Sequence, residues 1–421
     1  MLKFALKNML IKKVQIILIV LSIVISAGVG VLAYNVANQV SDGITSNAQY
    51  YSAIIGPSGS ATQLAMNTMY FTDDVLGTIP YSIVEDLSPE KDFRVLKVVP
   101  FAMADSYKGY SFIGTTTDYL LIAGKTIASG DLFDDDALYE VVVGAEVARA
   151  AKLKIGDVIH SQHSQIEGDE HEQGYTVVGI LAESHSMFDN VIFTQFKTIW
   201  AVHEEGHHHE EGEEHDEDHD HEDEEEGEEH HDHAEMNGMV CAILVKATNP
   251  STAMQIVSDY DGKIVYDEDG DSFTLQAIEP MSTVRGVLKD TDSTKYIVYI
   301  LCGIILAMNI MVISIITLLN MYNSAKEISL MRLIGIGMGK INLLYIIENS
   351  IIGFISTALA FGVSRLCLTF VQDYVKSMGV VLNMAKIYPF EWLILLGIFL
   401  ISVIPTVICT VVMSKKDSIS D

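Results

Sequence analysis

Apolar residues are not spread evenly along this chain; they collect in long runs at its two ends, around a mixed middle. Three runs lack any charged residue: Val14 to Val40, Tyr296 to Tyr322 and Trp392 to Ser414. Each exceeds the roughly 20 residues that an α-helix needs to cross a bilayer. A fourth run, 343–370, carries Glu348 near one end and Arg365 near the other. Side chains so placed can reach the interface, so this run also reads as a span. The pattern predicts a membrane protein with four transmembrane α-helices, one plus three: 14–40, 296–322, 343–370 and 391–414. Around them lie an amphipathic helix at 1–13, a stretch at 323–342, a short outer loop at 371–390 and a tail at 415–421. The first run could also be a signal peptide, since four lysines precede it. It is much longer than the apolar core of about 7–15 residues that such peptides carry.

Residues 41–292 follow a different pattern. "DFRVLKVVPFAMA" and "YSFIGTT" cluster β-branched and apolar residues as strands do. "VVVGAEVARAAKLKIGDVI" reads as a strand, a short helix and a turn into another strand. "GYTVVGILAES", "NVIFTQF" and "GMVCAILVKAT" are further strands, and a helix is predicted at "PSTAMQIVSDY". A large α+β extracellular domain, in one or two lobes, is the expected architecture between spans one and two.

Its side of the membrane follows from lysine and arginine in the short segments. Residues 1–13 hold Lys3, Lys7, Lys12 and Lys13 with no acid; the stretch after span two holds Lys326, Arg332 and Lys340 against Glu327; the tail holds Lys415 and Lys416. With four spans these all fall on one side, the cytoplasm. Both termini are then cytoplasmic and 41–292 faces outward.

One segment of the outer domain fits no element. His203 to Glu235 contains ten of the fourteen histidines and nineteen acidic residues. It has nothing to bury, and its carboxylates repel one another, so a disordered loop is predicted unless metal orders it. The formal net charge is −30; without this segment 37 acidic residues face 26 basic ones, so the excess is largely local. An acidic chain is a poor partner for nucleic acid. The segment's histidines, His203, His207, His208, His209, His215, His219, His221, His230, His231 and His233, combine imidazole and carboxylate donors suited to zinc and similar divalent ions. Flexible sites pay ordering entropy, so each ion is expected to be held weakly. Dense carboxylates also favour protonated imidazole, which would make the loop respond to pH. The remaining histidines, His160, His163, His171 and His185, are a candidate folded metal site, three of them around an apparent hairpin. Of four cysteines, three lie in apolar runs and only Cys241 in the polar region, so no disulfide framework is indicated.

Candidate chemistry is otherwise sparse. "GIGMGKI" at 335–341 resembles a phosphate loop but has Ile334 where the first glycine belongs and Ile341 where Ser or Thr is needed. There is no Gly-x-Ser-x-Gly and no His-Glu-x-x-His. The chain is not expected to be an enzyme or to hydrolyse ATP itself. Apart from Glu348 and Arg365 near their ends, the spans offer no ionisable path for ions.

"AKEISLMRLIGIGMGKINLLYIIENSIIG" has the apolar spacing of an amphipathic helix broken by glycines before span three. With the one-plus-three arrangement it resembles the MacB/FtsX-type ABC transporter permeases. Their recurring Glu-Ile, Leu-Arg-x-Leu-Gly, basic residue and early Glu correspond here to Glu327, Ile328, Met331, Arg332, Ile334, Gly335, Lys340 and Glu348. The outer segments "VVVGAEVARAAKLKIGDVI" and "YTVVGILAES" and the opening "FALKNMLIKKVQIILIVLSIVISAGVGVLA" are also similar to the family. "IIGPSGSATQLAMNTMYFTDDVLGTIPYSIV" and "YSFIGTTTDYL" look like a subgroup with a His-rich insertion. Gly337, Met338 and the C-terminal "MSKKDSISD" depart from the usual pattern. The resemblance implies a homodimer working with a separate ABC ATPase that docks on Lys326, Glu327, Met331, Arg332, Gly335 and Lys340. It implies mechanical work outside the membrane on a lipoprotein, peptide or partner protein, with no catalytic cofactor; the His-rich insertion adds zinc or another divalent metal as the suggested link. An ATP-independent metal sensor or scaffold is the alternative, and direct metal transport the weaker one.

Overall fold

The structure, a computed structural model, describes residues 2–163, 170–206, 238–267, 269–286, 289, 330–376 and 379–417, with scattered positions between 296 and 315. The chain divides into two compact units: one of Met1–Ser41, Lys289–Val375 and Leu382–Asp421, the other of Asp42–Leu288 and Lys376–Val381.

The first unit is helical. Helix α1 (Leu2–Ile11) precedes α2 (Lys13–Asn47). The unit ends with α9 (Met338–Lys376) and α10 (Pro389–Asp417), numbered after the six helices of the second unit. Three helices among the described residues are long and apolar enough to cross a membrane, namely α2, α9 and α10. The run 296–322 falls largely outside the described residues. The helices overrun the charge-free runs: α2 extends to Asn47, and α9 begins at Met338 and continues to Lys376 through part of the stretch expected as loop. A charged residue ends a hydrophobic run, but only a cap or breaker ends a helix. Packing follows the helical period. Ile19, Ile23 and Ala27 form one buried stripe that meets Ile352, Ala360 and Ile398. Val14, Ile17, Leu18, Leu21 and Ile25 lie exposed on another stripe of α2, as lipid-facing residues should. Between α9 and α10 the approach is close. A Cβ on Gly353 would stand 2.0 Å from Ser402 Oγ, so glycine is what lets these helices touch.

Among the described residues, the second unit is an α+β domain with thirteen strands. They are β1 (Ala53–Pro57), β2 (Ile79–Pro80), β3 (Val95–Tyr107), β4 (Tyr110–Thr115), β5 (Ile127–Gly130), β6 (Glu140–Val143), β7 (Val158–His163), β8 (Glu170–Leu181), β9 (Ile192–Gln195), β10 (Met239–Val240), β11 (Ala242–Ala247), β12 (Ile264–Tyr266) and β13 (Ser272–Ile278). The helices are α3 (Ala61–Tyr70), α4 (Ser82–Asp86), α5 (Thr117–Ile122), α6 (Ala145–Ala151), α7 (Phe196–Gly206) and α8 (Pro250–Tyr260). One mixed sheet runs β12-β13-β1-β11-β3-β4-β9-β6-β8-β5, with β7 joining β3 and β8; β2 and β10 pair separately.

Strand β3 organises the sheet. Its first half pairs with β11 and its second half with β4 and β7. The expected lobes are therefore two halves of one continuous sheet. Helix α8 shows why the local sequence folds as it does. Asn249 caps its N terminus by accepting from the Thr252 amide, and Pro250 occupies the first turn. Ala253, Ile256 and Tyr260 then fall on one face and enter a core with Ile55, Ile243, Val245 and Leu275. Burying a side chain such as Ile256 contributes about 1.5–3 kcal/mol. A second core is aromatic: Phe71, Phe101, Tyr119, Phe188 and Phe193 pack ring against ring. Tyr119 is buried there, and its hydroxyl donates to the Thr68 carbonyl at 2.7 Å.

Candidate functional site

Three clusters carry the polar chemistry. The first is the segment before α9. Lys326, Glu327 and Ile328 lie outside the described residues. Residues 330–333 are helical, and this helix stops at Gly335, where φ is +90°. The Gly335 amide donates to the Arg332 carbonyl at 2.9 Å, and the Ile336 amide to the Met331 carbonyl at 3.0 Å. These paired bonds, five and three residues long, are the Schellman arrangement, which needs a left-handed residue that glycine supplies without strain. The accompanying apolar contact is present: Met331, Ile336 and Met338 pack on Ile341 and Tyr345. The carbonyl of Gly337 then accepts from the Lys340 and Ile341 amides to start α9. The product is a tight helix–turn–helix knuckle. Arg332 and Lys340 are exposed on it, as are Leu333 at 83% and Ile334 at 79%. Glu348, about two turns beyond Lys340 on α9, is buried.

The second cluster joins α2, α9 and α10. Glu391 is wholly buried at the start of α10, and its carboxylate pairs with Arg365 of α9. Asn35 Nδ2 donates to Glu391 Oε1 at 2.6 Å and to the Lys386 carbonyl at 3.2 Å. Gln39, one turn along α2, grips the backbone of Asn383 from both sides: Nε2 donates to its carbonyl at 3.0 Å, and Oε1 accepts from its amide at 2.7 Å. The Arg365 guanidinium also lies over the Phe361 ring at 4.9 Å. In the sequence Arg365 stands out as a charge within an apolar run, whereas Glu391, Asn35 and Gln39 do not. Two amide side chains four residues apart inside an apolar span were the available signal.

The third cluster concerns the histidines. His203 is within α7, and the other nine histidines of the insertion lie outside the described residues. His160 and His163 are on β7 and His171 is on β8; these two strands pair antiparallel as the predicted hairpin. His185 follows β8, half exposed, with Nδ1 3.9 Å from Glu183 Oε1. His171 Nε2 instead approaches Asp105 Oδ2 of β3, at 3.6 Å. Burial, and the charge of Asp105 after it, push the nearby Tyr175 hydroxyl well above its usual range. Among the described residues, no group of three or more His, Cys, Asp or Glu side chains is arranged to hold a metal ion.

Residues 15–260 match the MacB-like periplasmic core domain, and residues 298–417 match the FtsX-like permease C-terminal domain. The chain belongs to the MacB/FtsX-like family of ABC transporter permeases. None of the curated proteins matches it. Similar solved structures include the periplasmic region of MacB from Actinobacillus actinomycetemcomitans, with a TM-score of 0.35 and 10% identity over 59% of this chain and 97% of that one. Another is the extracellular domain of the noncanonic ABC-type transporter YknZ from Gram-positive bacteria, with a TM-score of 0.31 and 12% identity over 54% of this chain and 99% of that one. Membership makes the chain a multi-pass permease subunit whose α+β domain lies outside the membrane, with ATP hydrolysis residing in a separate ABC ATPase.

Proposed function

We propose that two copies of this chain, each with four spans and both termini in the cytoplasm, pair with two copies of the ATPase. The ATPase docks on the knuckle through Met331, Arg332, Gly335 and Lys340, together with Lys326 and Glu327, which precede it in the sequence. Its closure on ATP shifts the spans, and the outer domain uses that motion on a lipoprotein, peptide or partner protein. The observation that supports this reading is the knuckle's surface. Large apolar side chains stand exposed at its turn beside two cations, which is unusual outside a binding interface. The fixed Schellman turn keeps that surface rigid enough to transmit force. The His-rich insertion is the basis for linking the outer process to zinc or another divalent metal.

Replacing Arg332 with Glu should lower recovery of the ATPase with the permease, or permease-stimulated ATP turnover, by about tenfold. That factor corresponds to about 1.4 kcal/mol, within the range for losing one interfacial charge contact. The variant should still insert in the membrane. Unchanged assembly together with unchanged turnover would reject the docking assignment.

A further inference from the structure

Strand β12 ends the large sheet, and among the described residues its outer edge is unpaired. Its ladder to β13 fixes which backbone groups face that edge. The Lys263 carbonyl accepts from the Leu275 amide at 2.8 Å, and the Asp267 amide donates to the Asp271 carbonyl at 3.1 Å. Between these bonds Ile264, Val265 and Tyr266 stand opposite Thr274, Phe273 and Ser272. Bonded and non-bonded positions alternate in an antiparallel pair. Val265 therefore bonds inward, while Ile264 and Tyr266 turn their amides and carbonyls to the open edge. The side chains alternate as well. Val265 packs on the core that holds Leu275, whereas Ile264 is 56% exposed and Tyr266 66%. Sheets commonly guard such an edge with a lysine, a proline, a bulge or a covering loop. Lys263, the one cation in 259–278, lies instead over the Tyr260 ring at 4.5 Å. The guards present are brevity and acid. The strand has three residues, and Asp261 before it and Asp269 and Asp271 in the turn after it are exposed.

We propose that β12 is a docking edge for an extended segment of a partner protein in which apolar and basic residues alternate. The inference rests on the outer-domain part of the reading above and is independent of ATPase docking. Such a segment adds a strand beside β12 and bonds the outward amides and carbonyls of Ile264 and Tyr266. Its apolar side chains cover the Ile264 and Tyr266 side chains, as cross-strand neighbours do. Charge selects the occupant. Two copies of this edge would bring Asp261, Asp269 and Asp271 against their own kind, and like charges across an interface are costly. A cationic segment meets the same carboxylates with opposite sign.

The test uses the full chain in detergent and, as probe, a short capped peptide of alternating valine and lysine. Amide hydrogen exchange read by mass spectrometry locates the contact. The peptide should slow exchange at Ile264 and Tyr266 by at least about tenfold and leave Val265, already bonded to β13, unchanged. The same peptide with its backbone nitrogens methylated, or with glutamate in place of lysine, should bind at least about tenfold more weakly. Ile264→Pro removes an outward donor where edge strands tolerate proline and should weaken binding about tenfold. Ile264→Lys should do the same through charge, and it carries the test if circular dichroism shows the proline variant misfolded. Leu121→Lys, at an exposed position on α5, should leave binding within about twofold. The Arg332→Glu chain should bind the peptide normally, and the Ile264→Lys chain should recover the ATPase normally, which separates failure of this site from failure of the docking reading. Binding without protection at Ile264 and Tyr266 would show that the peptide only neutralises acidic surface, and it would overturn the proposal. Absence of binding would do so too. Protection already present without peptide, and rising with protein concentration, would give the edge to a second copy of this chain and overturn the proposal equally.

Discussion

Cys241 illustrates how burial decides what a reactive side chain can do. It sits between β10 and β11 with its thiol enclosed, and its Sγ is 3.8 Å from the Met103 carbonyl. Burial pushes the thiol up to about 11. The thiolate is the nucleophile and the metal ligand, so at pH 8 this residue presents roughly 200-fold less of it than an ordinary cysteine. Folded protein should therefore resist iodoacetamide at Cys241, with alkylation slowed by about that factor relative to urea-unfolded chain, as mass spectrometry of the modified peptide would report. Fast labelling in the folded state would show that the β3–β11 region opens. The sign with pH is fixed: labelling should rise toward pH 11 as the proton leaves, even without unfolding.

At the level of elements, the polar cluster at Asn35, Gln39, Arg365 and Glu391 governs how three helices meet. A buried ion pair contributes little net stability, but removing one member leaves the other charge uncompensated, at about 3–5 kcal/mol. Glu391→Gln should accordingly lower thermal stability in detergent strongly, and Arg365→Gln should do the same. The double variant should be less destabilised than the two losses summed, since neither charge is then stranded. Strict additivity in this cycle would show that the two side chains do not act as a pair. This cluster was only partly legible in the sequence, for a physical reason. The period of apolar residues reports which face of a helix is buried, but not which residue of a distant helix lies against it. Arg365 stood out as a charge within a run. Glu391 stands beside the charge-free run that begins at Trp392, and only three-dimensional packing joins the two. Helix α8, by contrast, was readable to its ends, because Asn249, Pro250 and the spacing of Ala253, Ile256 and Tyr260 are all local signals. The same distinction explains the histidines. The hairpin was visible in "IHSQHSQIEGDEH", whereas the approach of Asp105 depends on β3 pairing with β7, about fifty-five residues later in the chain.

For the whole molecule, the distribution of charge and the two-unit division lead to one testable topology. The knuckle at 330–340 and the first thirteen residues both carry cations at the ends of apolar helices, while the sequence between spans one and two is strongly acidic. Short segments rich in lysine and arginine stay on the cytoplasmic side, and long acidic domains cross with little regard to their own charge. An even number of spans is needed to return the C terminus to the side of the N terminus. Three long apolar helices are described, and the run 296–322 has the length and composition of the fourth. Reporter tags placed at residue 210 and after residue 421 should therefore report opposite faces of the membrane, the first outside and the second in the cytoplasm. An additional tag at Lys3 should agree with the C-terminal one. If the tags at 210 and at the C terminus report the same face, 296–322 does not cross and the chain has three spans. The knuckle would then lie on the outer side, beyond the reach of any cytoplasmic ATPase. The topology measurement thus also tests the docking assignment, because the exposed Arg332, Leu333 and Ile334 can meet that partner only if span two returns the chain to the cytoplasm.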